Sequence, residues 1–279
     1  MKKDLEFLKN KIVAHRGYHD INIGIPENSI PAFKRAIEKN YLIEFDLHLL
    51  KDGNVVVFHD DNLKRMTGLD SPIKDKTYKE LQNLKLLNTN EHIPLFSDIL
   101  KLVNGKVPII IELKFDNKCG LLEDKVLNTL KDYKGKYAIK SFNPLTVNYL
   151  RKKAPNVIRG QLSSDFKTDN INILKKKFMQ SMLYNIITKP DFISYDIRAL
   201  PSKRIKKLRK NKLIMAWTIK DKTSFIVAQN NCDTFIMENI EDIIETKNSQ
   251  NIYPNKSSNS SRKIKRNIKN KKDGNKWKV

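Results

Sequence analysis

From Lys11 to about residue 246 the chain repeats one pattern eight times: a short β-rich apolar run, then a segment with helical spacing. The runs are "KIVAH" (11–15), the pair "YLIEFDLHLL" and "NVVVFHD", then "VPIIIELKF", "KYAIKSF", "NVIRGQL", "DFISYD", "LIMAWTI" and "DTFIME". The second unit reads as a hairpin turning at Asp52-Gly53. Ile109, Ile110 and Ile111 in succession mark a strand covered on both faces, as in parallel sheets. Helices are expected at 29–39, with Pro31 in the first turn, near "TYKELQNL", at about 120–132, 144–153 and 170–184, and over "PSKRIKKLRK", "KTSFIVAQN" and "IEDIIE". Eight such steps in about 235 residues predict an α/β fold, a TIM (β/α)8 barrel forming a single domain over residues 1–246. An open doubly wound sheet is the alternative, but no Gly-x-Gly-x-x-Gly follows the first strand, which argues against dinucleotide binding.

The barrel decides how residues 41–60 are read. Ile43, Phe45 and Leu47 share one face of a strand, so Glu44 and Asp46 share the other. The inward face of a barrel is packed core except at the carboxyl-terminal mouth, where inward polar groups meet a substrate. Successive strand ends carry His15 and Arg16, Glu44 and Asp46, His59 and Asp60, then Glu112 and Lys114. Their convergence at one mouth predicts a site rather than a solvated face. Three carboxylates without a nearby Cys form a hard oxygen set suited to Mg2+ or Ca2+. With such an ion they leave about −1; Arg16 and Lys114 bring the sum to about +1, which a singly charged phosphodiester neutralises. Two rim histidines titrating near neutrality suit general acid and base roles.

Other features bound the protein's setting. The chain has 279 residues and a net charge of +23. From Lys247 onward eleven Lys or Arg stand against one Asp, so ten of those charges belong to the tail. That tail, residues 247–279, is rich in Asn, Ser and Lys, lacks apolar periodicity, and is expected to be disordered. A solvated extension is the favoured reading, since Lys and Asn abound throughout the chain; weak contact with an anionic membrane or nucleic acid is the other. The N-terminus has no apolar run of signal-peptide length, and no segment approaches about 18 apolar residues, so a cytoplasmic location is expected. Cys119 and Cys232 are far apart in sequence, which argues against a zinc or disulfide framework. No feature calls for an obligate protein partner.

The stretches "VAHRG", "PENSIPAFKRAIE", "IEFDLHLLKDGNVVVFHDDNLKRMTG", "HIPLFSDIL" and "IIIELK" resemble the glycerophosphodiester phosphodiesterase family, with weaker echoes in "IKSF" and "MAWTIKD". The resemblance implies a TIM-barrel hydrolase that cleaves glycerophosphodiesters such as glycerophosphocholine or glycerophosphoethanolamine to sn-glycerol 3-phosphate and an alcohol. It places Glu44, Asp46 and Glu112 at the divalent-cation site, His15 and His59 on the catalytic histidines, and Arg16 and Lys114 on the phosphate. Trp217 matches a tryptophan lining the glycerol pocket, with packing at the barrel top as its other reading. Glu27 falls in a loop near the site, and Asn28 and Ser29 are expected only to cap the next helix. The sequence departs from the family at Leu50, where threonine is common, and at Met237-Glu238-Asn239, which replaces a Thr-Asp pair. His48 shares the inward face but is expected off the substrate, and His19 and His92 are read as surface residues. Two rivals stand beside this reading. One is a phospholipase D acting on lysophospholipids or sphingomyelin, which needs an apolar loop at the mouth that no exposed run supplies; the other is a degenerate barrel binding anionic lipid or nucleic acid through its tail.

Overall fold

Strands β1 (Ile12–Ala14), β2 (Leu42–Leu49), β4 (Ile109–Leu113), β5 (Tyr137–Ser141), β6 (Ile158–Ser163), β7 (Phe192–Asp196), β8 (Leu213–Ile219) and β9 (Thr234–Met237) run parallel, and β1 pairs with both β9 and β2. That double pairing closes an eight-stranded barrel. β3 (Val55–Val57) adds antiparallel to β2, completing the expected hairpin. The computed structural model describes residues 3–115, 118–167 and 172–244. The basic tail from Lys247 lies outside the described residues.

The helices outside the barrel follow the amphipathic segments. α1 (Ile30–Glu38) is capped by Ser29, whose Oγ accepts from the Ala32 N–H, and carries Pro31 in its first turn. After β3 come two single turns, α2 (Lys64–Thr67) and α3 (Tyr78–Leu81), and then α4 (Phe96–Val103). The crossover from the hairpin to β4 is α4, not the expected helix near "TYKELQNL", which stops after one turn at Leu81. The remaining helices are α5 (Leu121–Leu130), α6 (Pro144–Lys153), α7 (Ile173–Ser181), the single turn α8 (Asn185–Thr188), α9 (Lys203–Leu208), α10 (Lys222–Asn231) and α11 (Ile240–Ile244).

Burial is partitioned by the pleat. Ile43, Phe45 and Leu47 face outward against Phe33 of α1 and Phe96 of α4, with ring centroids 5.7 Å (Phe33–Phe45) and 6.0 Å (Phe45–Phe96) apart. The barrel floor is a separate cluster of Val13, Leu42, Ile110, Ala138, Phe192, Met215 and Ile236. Gly160 belongs to it by necessity, because a Cβ there would lie 2.2 Å from the Phe192 ring. Residues 50–95 form a third cluster around Phe58, Leu63 and Met66; Leu50 is buried in it, which accounts for an apolar residue at that position. Above the floor the interior turns polar, where Glu44, Asp46, Glu112 and Lys140 replace hydrocarbon.

Candidate active site

The mouth is shaped by the turn that follows β1. Arg16 and Gly17 take φ of 53° and 81°, and a Cβ on Gly17 would lie 2.9 Å from both Ala32 Cβ and Phe33 Cδ1 of α1. The same turn sends the Arg16 backbone N–H to Glu44 Oε2 (3.2 Å) and its guanidinium to Glu27 Oε1 (2.8 Å), with Nε 3.8 Å from Asp46 Oδ2. Asn28, also at positive φ, does more than precede a helix: its Nδ2 donates to Asp46 Oδ2 at 3.2 Å.

The carboxylates converge through strand register. Asp46 on β2 stands beside Glu112 on β4, and Glu112 beside Lys140 on β5. Oxygens of Glu44, Asp46 and Glu112 lie within 4.8 Å of one another, and all three side chains are buried. Two ammonium groups share the cluster. Lys114 Nζ is 2.7 Å from Glu112 Oε1 and 2.9 Å from Asp46 Oδ1; Lys140 Nζ is 2.8 Å from Glu44 Oε1 and 3.4 Å from Glu112 Oε2. Burial alone would raise the acids and lower the lysines. The opposite charges prevail: Lys114, His59 and Arg16 hold Asp46 below its usual range, Lys114 and Lys140 do so for Glu112, and both lysines are raised.

Each histidine is backed by a carboxylate on the same ring nitrogen. His15 Nδ1 lies 2.6 Å from Glu238 Oε1, and His59 Nδ1 lies 2.6 Å from Asp60 Oδ1. This leaves Nε2 of both rings for a substrate. Burial opposes both acids, yet His15 and Lys220 hold Glu238 well down, and Arg65 with His59 holds Asp60 down to about 2. Arg65 Nε donates to Asp60 Oδ2 (2.6 Å) and its Nη2 to Glu27 Oε1 (2.7 Å), so the two rim arginines share Glu27.

All eight residues singled out in the sequence meet here. His15, Arg16, His59, Glu112, Lys114 and Trp217 line a cavity of about 70 Å3 together with Lys140 and Phe142. Glu44 and Asp46 meet Glu112 in the buried cluster. Trp217 stands edge-on to Phe142 at 5.5 Å, and its indole N–H has no hydrogen-bond partner among the described residues. The residues fit a hard divalent cation: three clustered carboxylates, and a buried Asn28 Oδ1 with no hydrogen bond among the described residues, offer oxygen donors and no sulfur. Sequence reading gave no site role to Glu238, Lys140, Asn28 or Arg65, although Asn28 and Arg65 lie in the family-like stretches "PENSIPAFKRAIE" and "IEFDLHLLKDGNVVVFHDDNLKRMTG", Lys140 in the weaker echo "IKSF", and Glu238 at a departure from the family. His48 does not line this cavity, and its Nε2 donates to the His59 carbonyl at 3.2 Å. His92 is exposed, but His19 is not a surface residue: it is half-buried, with Nε2 shielded from solvent and without a hydrogen-bond partner among the described residues.

A parallel barrel thus carries acids, cations and two carboxylate-backed histidines at one mouth. The model of the glycerophosphoryl diester phosphodiesterase family matches residues 15–244, and the chain belongs to that family. A glycerophosphodiester phosphodiesterase of Caldanaerobacter subterraneus is 31% identical over 167 residues, covering 56% of this chain and 67% of that one. Lysophospholipase D GDPD1 of Rattus norvegicus is 34% identical over 146 residues, or 48% and 44% of the two chains. Among solved structures, a phosphodiesterase of Oleispira antarctica in complex with the product sn-glycerol-3-phosphate superposes with a TM-score of 0.70 at 20% identity, covering 88% of this chain and 97% of that one. A glycerophosphodiester phosphodiesterase of Thermotoga maritima does so with a TM-score of 0.65 at 27% identity, covering 85% and 97%.

Proposed function

We propose that this chain hydrolyses glycerophosphodiesters such as glycerophosphocholine and glycerophosphoethanolamine to sn-glycerol 3-phosphate and an alcohol. In this reading Glu44, Asp46 and Glu112 hold one Mg2+ or Ca2+, and His15 and His59 are the acid and base. The observation that carries it is the matched histidine pair, each fixed by a carboxylate on Nδ1 beside one cavity lined by Arg16, Lys114 and Lys140.

The chemistry a divalent cation supplies there is Lewis-acid stabilisation of phosphoryl oxygens. The protein's own groups do the rest. Arg16, Lys114 and Lys140 sum to about zero with the three carboxylates, and a divalent cation brings the site to about +2. A diester carries −1, but attack by an oxygen that has lost its proton gives a pentacoordinate transition state of about −2, so the site's charge matches the transition state better than the ground state. One histidine Nε2 takes the proton of the attacking water or neighbouring glycerol hydroxyl, and the other protonates the leaving alkoxide; where the glycerol hydroxyl attacks, a cyclic phosphate forms, and a water opens it to sn-glycerol 3-phosphate with the two histidine roles reversed. Glu238 and Asp60 keep a proton on each Nδ1 and steady each ring. Trp217 walls the cavity on the side taken here for the glycerol.

Release of sn-glycerol 3-phosphate from a panel of glycerophosphodiesters, with and without chelator, tests the reading. Turnover of at least one diester that depends on Mg2+ or Ca2+ is expected. Absence of turnover on every diester with either ion would refute it. The intact acids and histidines speak against a degenerate barrel.

A further inference from the structure

An apolar rim interrupts the charged mouth on one side. Phe115 follows β4, Leu121 opens α5, Leu145 lies in the first turn of α6, and Ile173, Leu174 and Phe178 stand on α7; all six are 44–74% exposed. β4, β5 and β6 are neighbours in the barrel, and these residues leave the strands at their carboxyl ends, so they form one sector of the catalytic face. No single sequence segment shows this, because the residues come from three successive strand-to-helix units. Lys118, Lys175 and Lys177 are exposed among them. A cavity of about 520 Å3 leads from Trp217 and Phe142, at the wall of the site, past Phe166 to Met179 and Lys175 on α7.

We propose that this sector is a docking surface for an anionic lipid bilayer. Apolar side chains interleaved with lysines on a short helix have the composition of an interfacial element: hydrocarbon enters the acyl boundary while ammonium groups stay at the lipid phosphates. Ile173 and Leu174 lie at the start of α7 and Phe178 one turn on, next to Lys175 and Lys177, so charge and apolar surface reach the same plane. Six of the exposed large apolar residues meet in this one sector of the catalytic face, which marks an interaction site, and the exposed Lys118, Lys175 and Lys177 among them favour an anionic partner. A docked barrel would meet its substrate as a headgroup standing out of the bilayer, which makes a lysophospholipid a candidate. That last consequence rests on the phosphodiesterase reading; the docking itself does not.

The test is sedimentation of the full chain with vesicles of equal parts phosphatidylcholine and phosphatidylglycerol. The expected result is binding of the wild type, weakened about tenfold or more in an Ile173→Ser, Leu174→Ser double variant whose melting temperature is unchanged. Lys175→Glu with Lys177→Glu should reduce binding to these vesicles while leaving binding to pure phosphatidylcholine vesicles unaltered. Failure of the wild type to bind, equal binding by the double variant, or a solution dimer that the double variant dissociates would each overturn the docking surface. Turnover of lysophosphatidylcholine in the same vesicles is read separately, so loss of catalysis and loss of docking are told apart.

Discussion

At the scale of single residues, the strongest contrast is between the side chains proposed to transfer protons and those that hold them in place. His15→Ala and His59→Ala should each lower turnover of glycerophosphocholine by about 10² or more with the fold intact, the usual scale for lost acid–base catalysis. Wild-type rates in both variants would remove the role assignment. Glu238→Gln leaves His15 in place but replaces a charged acceptor 2.6 Å from Nδ1 with an amide that presents either ring tautomer with a partner. About tenfold loss of kcat with little change in KM is expected, measured as a kcat and KM split. Lys140 is a different case, since its ammonium is nearly inaccessible and serves Glu44 and Glu112. Lys140→Ala strands two buried acids, and the fold should lose about 3–5 kcal/mol in denaturant melts without metal. Adding Mg2+ or Ca2+ should narrow that loss, because an ion at the three acids supplies the missing charge; an unchanged gap would count against a metal in this cluster. The acids were legible because period-two alternation forces Glu44 and Asp46 to one face. Glu238 and Lys140 were not, because their partners lie 223 and 96 or 28 residues away in sequence, and no local pattern encodes those pairings.

Elements were read well where periodicity and end signals agreed. α1 has both an apolar stripe and Ser29 as its cap, and its limits fall within a residue of the expected span. The crossover to β4 went to the wrong segment for a physical reason. "TYKEL" carries a capping box in which Thr77 and Glu80 satisfy each other's backbone groups, a strong start signal for a helix that lasts one turn. α4 begins at Phe96 after Leu95, which offers no side-chain cap, so packing against α1 and β3 rather than a local signal stabilises it. Glycine positions supply the test at this scale. Gly160→Ala should cost about 1–3 kcal/mol or more by driving a methyl into the Phe192 ring, as equilibrium unfolding would report. A neutral effect would mean that the floor of the barrel is looser than the close packing described.

For the whole molecule, the barrel followed from counting strand-then-helix units, and the closing pairs β1–β9 and β1–β2 are what that count required. What the count could not show is how separate loops combine at the mouth. The apolar rim draws on three strand-to-helix units, and the carboxylate backing of His15 comes from Glu238, 223 residues along the chain. Among the described residues no helix is long and apolar enough to cross a membrane, so lipid contact at the rim would be contact with a surface. The central claim is that Glu44, Asp46 and Glu112 together hold one divalent cation that the reaction needs. Calorimetric titration of Mg2+ or Ca2+ into chelator-stripped protein, run beside glycerophosphocholine hydrolysis on the same samples, tests it most directly. The account predicts one ion bound per chain, activity that returns in step with occupancy, and loss of both in Asp46→Asn; full hydrolysis by the stripped protein, or binding unaltered in Asp46→Asn, would contradict it.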